Sequence, residues 1–419
     1  MPRVLVTDAS ERAALAVIRS LGRKGIEIVA ADSVGLNAGF LSKYCSKAFI
    51  YPSPLKDKTK FINSMLRFVK NGDFELLIPI TDLTMVPIVE HRDEFKDYVK
   101  VAAPPYEIAV KAFDKAQTVR IAEKSGVPCP RTLLIDDIKT LKEVADDLRY
   151  PVVIKPRMKV FWRGDRGVML KVTPRNYAYT SKDLIHKYAQ IISRLNGMDV
   201  PPNFFMIQEF VEGEGYGVEA LMHKGELKAI FMHKRLREYP VTGGASTLRI
   251  STKSERLARY SVKLLKEMDW QGVAMAEFKM NPNGGDVKLM EVNGRFWGSL
   301  PLAIKAGVDF PYLLYKCMVE RENFSPPSYR LGVKQRWLIP GDILWLYSSI
   351  INDHRISSSV KDFLGSFTVP DDVISSDDIA PTIGALLTCL NSFIDVLRGR
   401  RNVAGETLPT MMIQKECPK

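Results

Sequence analysis

Apolar positions change their period several times along this chain. Residues 3–7, RVLVT, form a continuous apolar run that predicts a buried strand. Ala14, Val17, Ile18 and Leu21 then recur at helical spacing, with Ser10 as the expected N-cap and Gly22 and Gly25 as the stop. IEIVAAD, ELLIPITD (75–82) and residues 98–102 read as further strands. Strands alternating with helices predict an α/β unit with a doubly wound parallel sheet, whose ligand crevice lies beyond the strand C-ends. Thr7, Asp8, Asp32, Thr81 and Asp82 fall there. The first turn, TDASERAA, lacks the G-x-G-x-x-G pattern, so no dinucleotide is expected.

The second pattern begins after KAFDKAQTVRIAEKSG, about 111–126, which predicts one helix stopped by VPCPRT. YPVVIKP is a short strand holding Lys155, and FWRGDRGV is a glycine-containing loop. The stretch from Asn203 to Leu236 predicts a strand, a kinked linker and a hairpin turning at HKGE. REYPVTGGASTLR is a glycine-rich loop, and Leu257, Tyr260, Leu264, Leu265 and Met268 mark a helix. Strands 272–279 and 287–293 flank the turn NPNGGD, and an antiparallel sheet with helices upon it makes this half α+β. Beyond about residue 323, PGDILWLYSSII and IGALLTCLNSFIDVLRGRRN predict amphipathic helices with one face in a core. The second runs into Arg398, Arg400 and Arg401.

The 419 residues allow two or three domains. The five cysteines are scattered and none is spaced for a metal site, which suits a reducing compartment. With neither a signal-like start nor an apolar run of spanning length, a soluble, cytoplasmic protein without a membrane span is expected. The net charge of +12 suits anionic partners. The basic residues are dispersed and no nucleic-acid motif is present, so nucleic acid is not expected.

Alternation along LMEVNGR puts Val287, Leu289, Glu291 and Asn293 on one face of a strand. Val273, Met275 and Glu277 share a face of the strand before it, and the connection at 282–286 sets Glu277 opposite Glu291. At about 5 Å and an effective dielectric near 20, such a pair repels by roughly 3 kcal/mol. A shared proton, a divalent cation or a glutamate turned to solvent would each relieve it. Two carboxylates and an amide are hard oxygen donors suited to Mg2+. Lys155 in an apolar strand asks for an anion; Lys115 alone reads as a solvated helix lysine, but together with RGDRG, whose glycines permit close backbone approach, the two lysines could hold phosphates. The edge of IQEFVEGEG could pair with an adenine rim through its backbone, with Gln208 or Glu209 reaching the exocyclic amine. Arg235, Arg237 and Arg249 flank TGGAS and could grip a carboxylate. His233 reads as a strand residue, and Phe296 and Trp297 as packing.

The order of lysine, lysine in VIKP, glycine loop, QEFVEGE linker, AEF and EVNGR resembles the ATP-grasp superfamily over about residues 1–320. The stretches HKRLREYPVTGGASTLR and EVNGRFWGSLPLAIKAGVDFPYLLY are similar to its ATP-dependent carboligases, a carboxylate–amine ligase-like group. The resemblance implies a Rossmann-like pre-grasp domain at 1–110, a linker helix and lid at 111–205, and a large subdomain holding Mg2+ and ATP at 206–323. A mainly helical extension follows at 324–419. It implies that Lys115 and Lys155, with Arg163, Gly164 and Gly167, contact ATP phosphates. Gln208, Glu209 and Val211 would line adenine, and Glu277, Glu291 and Asn293 would hold Mg2+ (or Mn2+). Arg295 would steady the transferred phosphate, with Arg235 and Arg237 beside the substrate. The acid expected near the ribose falls at Gly215, with Glu214 or Glu212 as substitutes, and FWRGDRGV is not the four-glycine run of biotin carboxylases. The implied reaction joins a small-molecule carboxylate to an amine through an acyl phosphate, releasing ADP and phosphate, in a monomer or a homodimer. A bicarbonate-using carboxylase or carbamoyl-phosphate-type enzyme, and a non-catalytic nucleotide-binding module, are the alternatives.

Overall fold

The computed structural model describes residues 2–170, 172–195, 200–201, 203–240, 244–282, 285–353 and 356–397. Residues 241–243 of the glycine-rich loop, 283–284 of the NPNGGD turn, and Arg398, Arg400 and Arg401 lie outside the described residues.

Strands β1 (Arg3–Val6), β2 (Glu27–Asp32), β3 (Cys45–Ile50), β4 (Leu76–Ile78) and β5 (Lys100–Val101) form a parallel sheet ordered β3-β2-β1-β4-β5. Its helices are α1 (Arg12–Gly22), α2 (Lys58–Lys70), α3 (Asp82–Glu90), α4 (Arg92–Phe95) and α5 (Tyr106–Phe113). Both faces of β1 are buried: Val4 and Val6 pack with α1, and Leu5 packs with Phe61 of α2 and Met85 of α3. That is why RVLVT shows no polar alternation. Strand β3 gave no periodic signal because it is an exposed edge, paired only with β2. Ser10 does not cap α1. Its amide donates to Asp32 Oδ2 (2.7 Å), and the helix starts after Glu11 without a side-chain cap.

The helix expected over 111–126 is broken at Asp114, whose backbone is extended. Its carboxylate caps α6 (Lys115–Lys124) through the Ala116 amide (3.0 Å) and receives Arg157 Nε (3.0 Å). Next come β6 (Thr132–Leu134), α7 (Ile138–Val144), β7 (Val152–Pro156), β8 (Val160–Arg163), β9 (Arg166–Met169), β10 (Tyr177–Ala178), α8 (Ser181–Arg194) and β11 (Phe205–Glu209). They build an antiparallel sheet, β10-β7-β11-β6, and a separate hairpin, β8-β9. Because β11 pairs here, this sheet continues past the expected boundary at 205.

The large sheet contains β12 (Glu214–His223), β13 (Glu226–Tyr239), β14 (Ala245–Ser251), β15 (Gly272–Met280), β16 (Val287–Asn293) and β17 (Lys334–Arg336). Its order is β16-β15-β12-β13-β14-β17, antiparallel throughout. The β12-β13 turn at Lys224 and Gly225 has φ of 51° and 78°, the tight hairpin that HKGE predicts. Helix α9 (Glu255–Glu267) lies over Ala274, Ala276 and Phe278, while Val273 and Met275 join the core shared with β1, α1, α10 (Leu300–Ala306) and α11 (Phe310–Tyr315).

The segment after 323 is more than a helical extension. It supplies β17 to the large sheet and then α12 (Ile343–Asp353), α13 (Ile356–Gly365) and α14 (Pro381–Leu397). The expected burial of its helices holds only in part: Ala385 is buried, but Ile383, Leu386, Leu390, Tyr347 and Ile351 are exposed. Its aspartates reach arginines elsewhere. Asp378 pairs with Arg19 of α1 (2.8 Å), and Asp372 pairs with both Arg12 (2.6 Å) and Arg249. Asp342 pairs with Arg336 (3.0 Å) and Arg237 (3.3 Å).

Arg249 and Asp372 are both fully buried. Removing one member of a buried ion pair leaves an uncompensated charge. Asp372→Ala is expected to cost about 3–5 kcal/mol, measured as a lower urea unfolding midpoint.

Candidate active site

The feature that organises the site is the pairing of β15 with β16. Glu277 stands opposite Glu291, as the spacing predicts, and Met275 stands opposite Asn293. The expectation that Val287 and Leu289 share their face is corrected. A register shift places Phe278 opposite Leu289, and Val287, Leu289 and Val292 pack with Phe278 under α9. The bulge re-aims the chain, so an apolar run can end in two polar residues that face away from that core.

The acids are met by cations from other parts of the fold. Lys159 Nζ lies 3.0 Å from Glu291 Oε1 and 3.0 Å from Asn293 Oδ1. Lys115 Nζ is 4.0 Å from Glu291 Oε2, and Arg235 Nη2 is 2.5 Å from Glu277 Oε2. The Asn293 amide donates to Glu277 (2.8 Å) and Glu291 (3.2 Å), while its oxygen also accepts from Arg295 (3.2 Å). Arg295 in turn reaches Asp82 (3.3 Å) at the start of α3, so the parallel sheet's C-terminal edge joins the site. Burial opposes ionisation of Glu291, but Lys159, Lys115 and Lys155 outweigh it and hold the carboxyl far below its usual range.

The lysines are held in distinct ways. Lys115 is the first residue of α6 and is buried, so its amine pKa is lowered by desolvation. A cation at the positive end of a helix is unfavourable unless an anion faces it. Lys155 donates to Gln208 Oε1 (2.6 Å), and burial pushes its pKa down to about 8. Gln208 is fully buried and also donates to Thr132 Oγ1 (3.0 Å). Both ends of its side-chain amide are thus engaged, by Lys155 and by Thr132.

A cleft of about 480 Å3 opens beside this cluster, lined by Tyr177, Phe210, Glu214, Gly215, Arg235 and Lys279 among others. Glu214 pairs with Lys234 (2.7 Å), and the Val211 carbonyl accepts from Lys279 (2.8 Å). Glu209 ends β11, its amide bonded to the Arg131 carbonyl.

Other expected site residues lie elsewhere. Arg163, Gly164 and Gly167 sit on the β8-β9 hairpin, whose tip docks on the parallel-sheet domain. The Lys58 amide donates to Asp165 O (2.9 Å), Gly167 N–H donates to Leu55 O (2.8 Å) and Trp162 Nε1 donates to Pro54 O (3.0 Å). Gly167 N–H is thus engaged away from the cationic cluster. Arg237 differs from these: it lines the cleft, where it stacks on Trp345 (4.5 Å) and pairs with Asp342, whereas Arg249 is buried on Asp372. His233 is a buried strand residue bonded to Glu219 (2.6 Å), and Phe296 and Trp297 pack in the core.

Lys159 was missed. Four residues after Lys155, in the connection between β7 and β8, it carries no periodic signal. Among the described residues no group of three or more His, Cys, Asp and Glu side chains is arranged for a metal. Glu277, Glu291 and the Asn293 oxygen are hard oxygen donors of the kind a divalent cation takes, and Glu291 Oε1 and Asn293 Oδ1 converge on one point, occupied here by the Lys159 ammonium.

Residues 202–339 match a family model described as ATP-grasp in the biosynthetic pathway with Ter operon. The chain is 20% identical over 318 residues to D-aspartate ligase of Enterococcus faecium, covering 72% of this chain and 74% of that protein. It is 25% identical to a carbamoyl phosphate synthase large chain of Methanobrevibacter smithii, over 50% of this chain but only 19% of that one. In fold it is similar to L-amino acid ligase from Bacillus licheniformis (TM-score 0.58, 14% identity, 76% and 74% of the two chains). It is also similar to the biotin carboxylase domain of Hydrogenobacter thermophilus 2-oxoglutarate carboxylase, solved with MgADP and bicarbonate (TM-score 0.60, 16% identity, 79% and 73%). The chain has the ATP-grasp fold and resembles ATP-grasp ligases in sequence, which indicates an ATP-grasp ligase enzyme. No helix among the described residues is long and apolar enough to cross a membrane.

The electrostatics of Lys155 can be tested directly. NMR titration of labelled lysine is expected to give a midpoint near 8 for this amine. Gln208→Glu, which sets a carboxylate beside it, is expected to raise the midpoint by about one pH unit or more.

Proposed function

We propose that the chain is an ATP-dependent carboxylate–amine ligase working through an acyl phosphate. The observation that carries this reading is the meeting of Glu277, Glu291 and Asn293 with Lys115 of α6, Lys159 after β7 and Arg235 of the large sheet, while Arg295 links Asn293 to Asp82 beside the parallel sheet. On this reading residues 1–110 form the pre-grasp domain, 111–209 the linker helices and lid, 210–323 the large subdomain, and 324–397 a segment that adds β17 to it.

Glu277, Glu291 and Asn293 would hold Mg2+, which supplies charge neutralisation to the phosphates when bound. Lys115 and Lys155 grip phosphate oxygens, and Glu214 faces the ribose across the cleft. Glu209 and Val211 present the linker edge to adenine. Arg295 and Arg235 flank the reacting end. A substrate carboxylate oxygen attacks the γ-phosphorus, and the bond to the β-phosphate oxygen breaks, leaving ADP. The amine then attacks the acyl carbon, phosphate leaves, and the nitrogen loses its proton as the amide forms. The closed hairpin keeps water from the acyl phosphate.

A second reading rests on the match to carbamoyl phosphate synthase: bicarbonate as the activated carboxylate. It predicts ADP release stimulated by bicarbonate without an organic acid.

A panel of carboxylates and amines is expected to yield one pair that triggers magnesium-dependent ADP release. Glu291→Ala should lower that turnover by about 100-fold or more; full turnover would sink the metal assignment. The protonated Lys155 amine binds phosphate, so affinity for MgATP should be level below pH 8 and weaken as pH rises through it. Lys155→Arg, charged throughout, should remove that inflection, read by equilibrium binding across pH.

A further inference from the structure

We infer that Lys159 is a built-in counter-ion that keeps divalent cations off the carboxylate pair until nucleotide arrives, and then becomes a phosphate contact. The inference rests on the nucleotide reading above and adds to it an order of binding.

Lys159 Nζ takes Glu291 Oε1 and Asn293 Oδ1 at 3.0 Å each. These are the two oxygens that β16 offers a metal, and an ammonium and a dication cannot both occupy the space between them. The remaining oxygens are also engaged: Glu277 faces Arg235 (2.5 Å) and the Asn293 amide (2.8 Å), and Arg295 shares the Asn293 oxygen. Lys115, Lys155, Lys159, Arg235 and Arg295 outnumber Glu277, Glu291, Asp82 and Glu238, the last also paired with Arg235 (3.4 Å), so the cluster is net positive. A bare dication meets repulsion there, whereas a metal–nucleotide complex, net negative, is attracted.

Lys159 is also the cation able to yield. Lys115 is buried at the start of α6, and Lys155 is fixed in β7 by Gln208. Lys159 lies between β7 and β8, its side chain 37% exposed, on a flexible four-carbon stem. Released from Glu291, its charge stays next to the incoming phosphates.

The test is Mn2+ uptake, followed by the electron paramagnetic resonance of free Mn2+, with and without a non-hydrolysable ATP analogue. The wild-type protein is expected to take up Mn2+ at this site only with the analogue. Lys159→Met should take up Mn2+ without nucleotide, about tenfold more tightly or better than wild type, and bind the analogue more weakly. Adding Glu291→Gln to that variant should abolish the nucleotide-free uptake, which locates it. Wild-type uptake that is equally tight without the analogue overturns the inference, independently of how any variant folds. So does a Lys159→Met protein whose nucleotide-free uptake is unchanged. If the wild type binds no analogue with Mn2+, the ATP reading itself fails; if it binds and Lys159→Met changes nothing, only the counter-ion role fails.

Discussion

Two glutamates held face to face on paired strands are the constraint around which this molecule is arranged. The hairpin fixes Glu277 opposite Glu291, and their mutual repulsion is unrelieved by anything within those two strands except the Asn293 amide. The compensation comes from distant parts of the chain. Lys115 comes from the first turn after a broken helix, Lys159 from the β7-β8 connection and Arg235 from β13. Arg295, just beyond β16, leans on Asp82 of the parallel sheet. Each domain is tied to the site through charge, and a site assembled this way is complete only when the domains are closed upon one another.

Burial decides which of these charges are poised for chemistry. Lys155 and Lys115 are depressed because desolvation outweighs their distant carboxylate partners. Lys159 goes the other way: burial lowers its pKa, but direct contact with Glu291 outweighs it. Lys159 Nζ lies 3.0 Å from Glu291, whereas Lys115 Nζ lies 4.0 Å from it and Lys155 is bonded to the neutral Gln208.

Much of this was legible in sequence because it depends on alternation. The Glu277–Glu291 register, the tight HKGE turn and the parallel order of the first sheet follow from period and turn chemistry. What escaped depends on tertiary partners. The Asp114 break is made by Arg157, forty-three residues on, and periodicity across 111–126 is blind to it. Gln208 reads as an exposed linker residue, yet β6 and β7 bury it. The bulge after Leu289 inverts the faces of Val287 and Leu289, and no local pattern announces it.

Arg235 and Arg237 show how far a one-dimensional reading reaches. Two residues apart on β13, they should share a face and a role. Register shifts on either side of Arg237 break that equivalence, and the aspartates after 323 do the rest. Arg235 reaches Glu277, whereas Arg237 turns to Asp342 and Trp345, and Arg249 on the neighbouring strand is buried against Asp372. The aspartates of the C-terminal segment thus tie both Arg237 and Arg249 into the large sheet, and Asp372 joins Arg249 to Arg12 of α1.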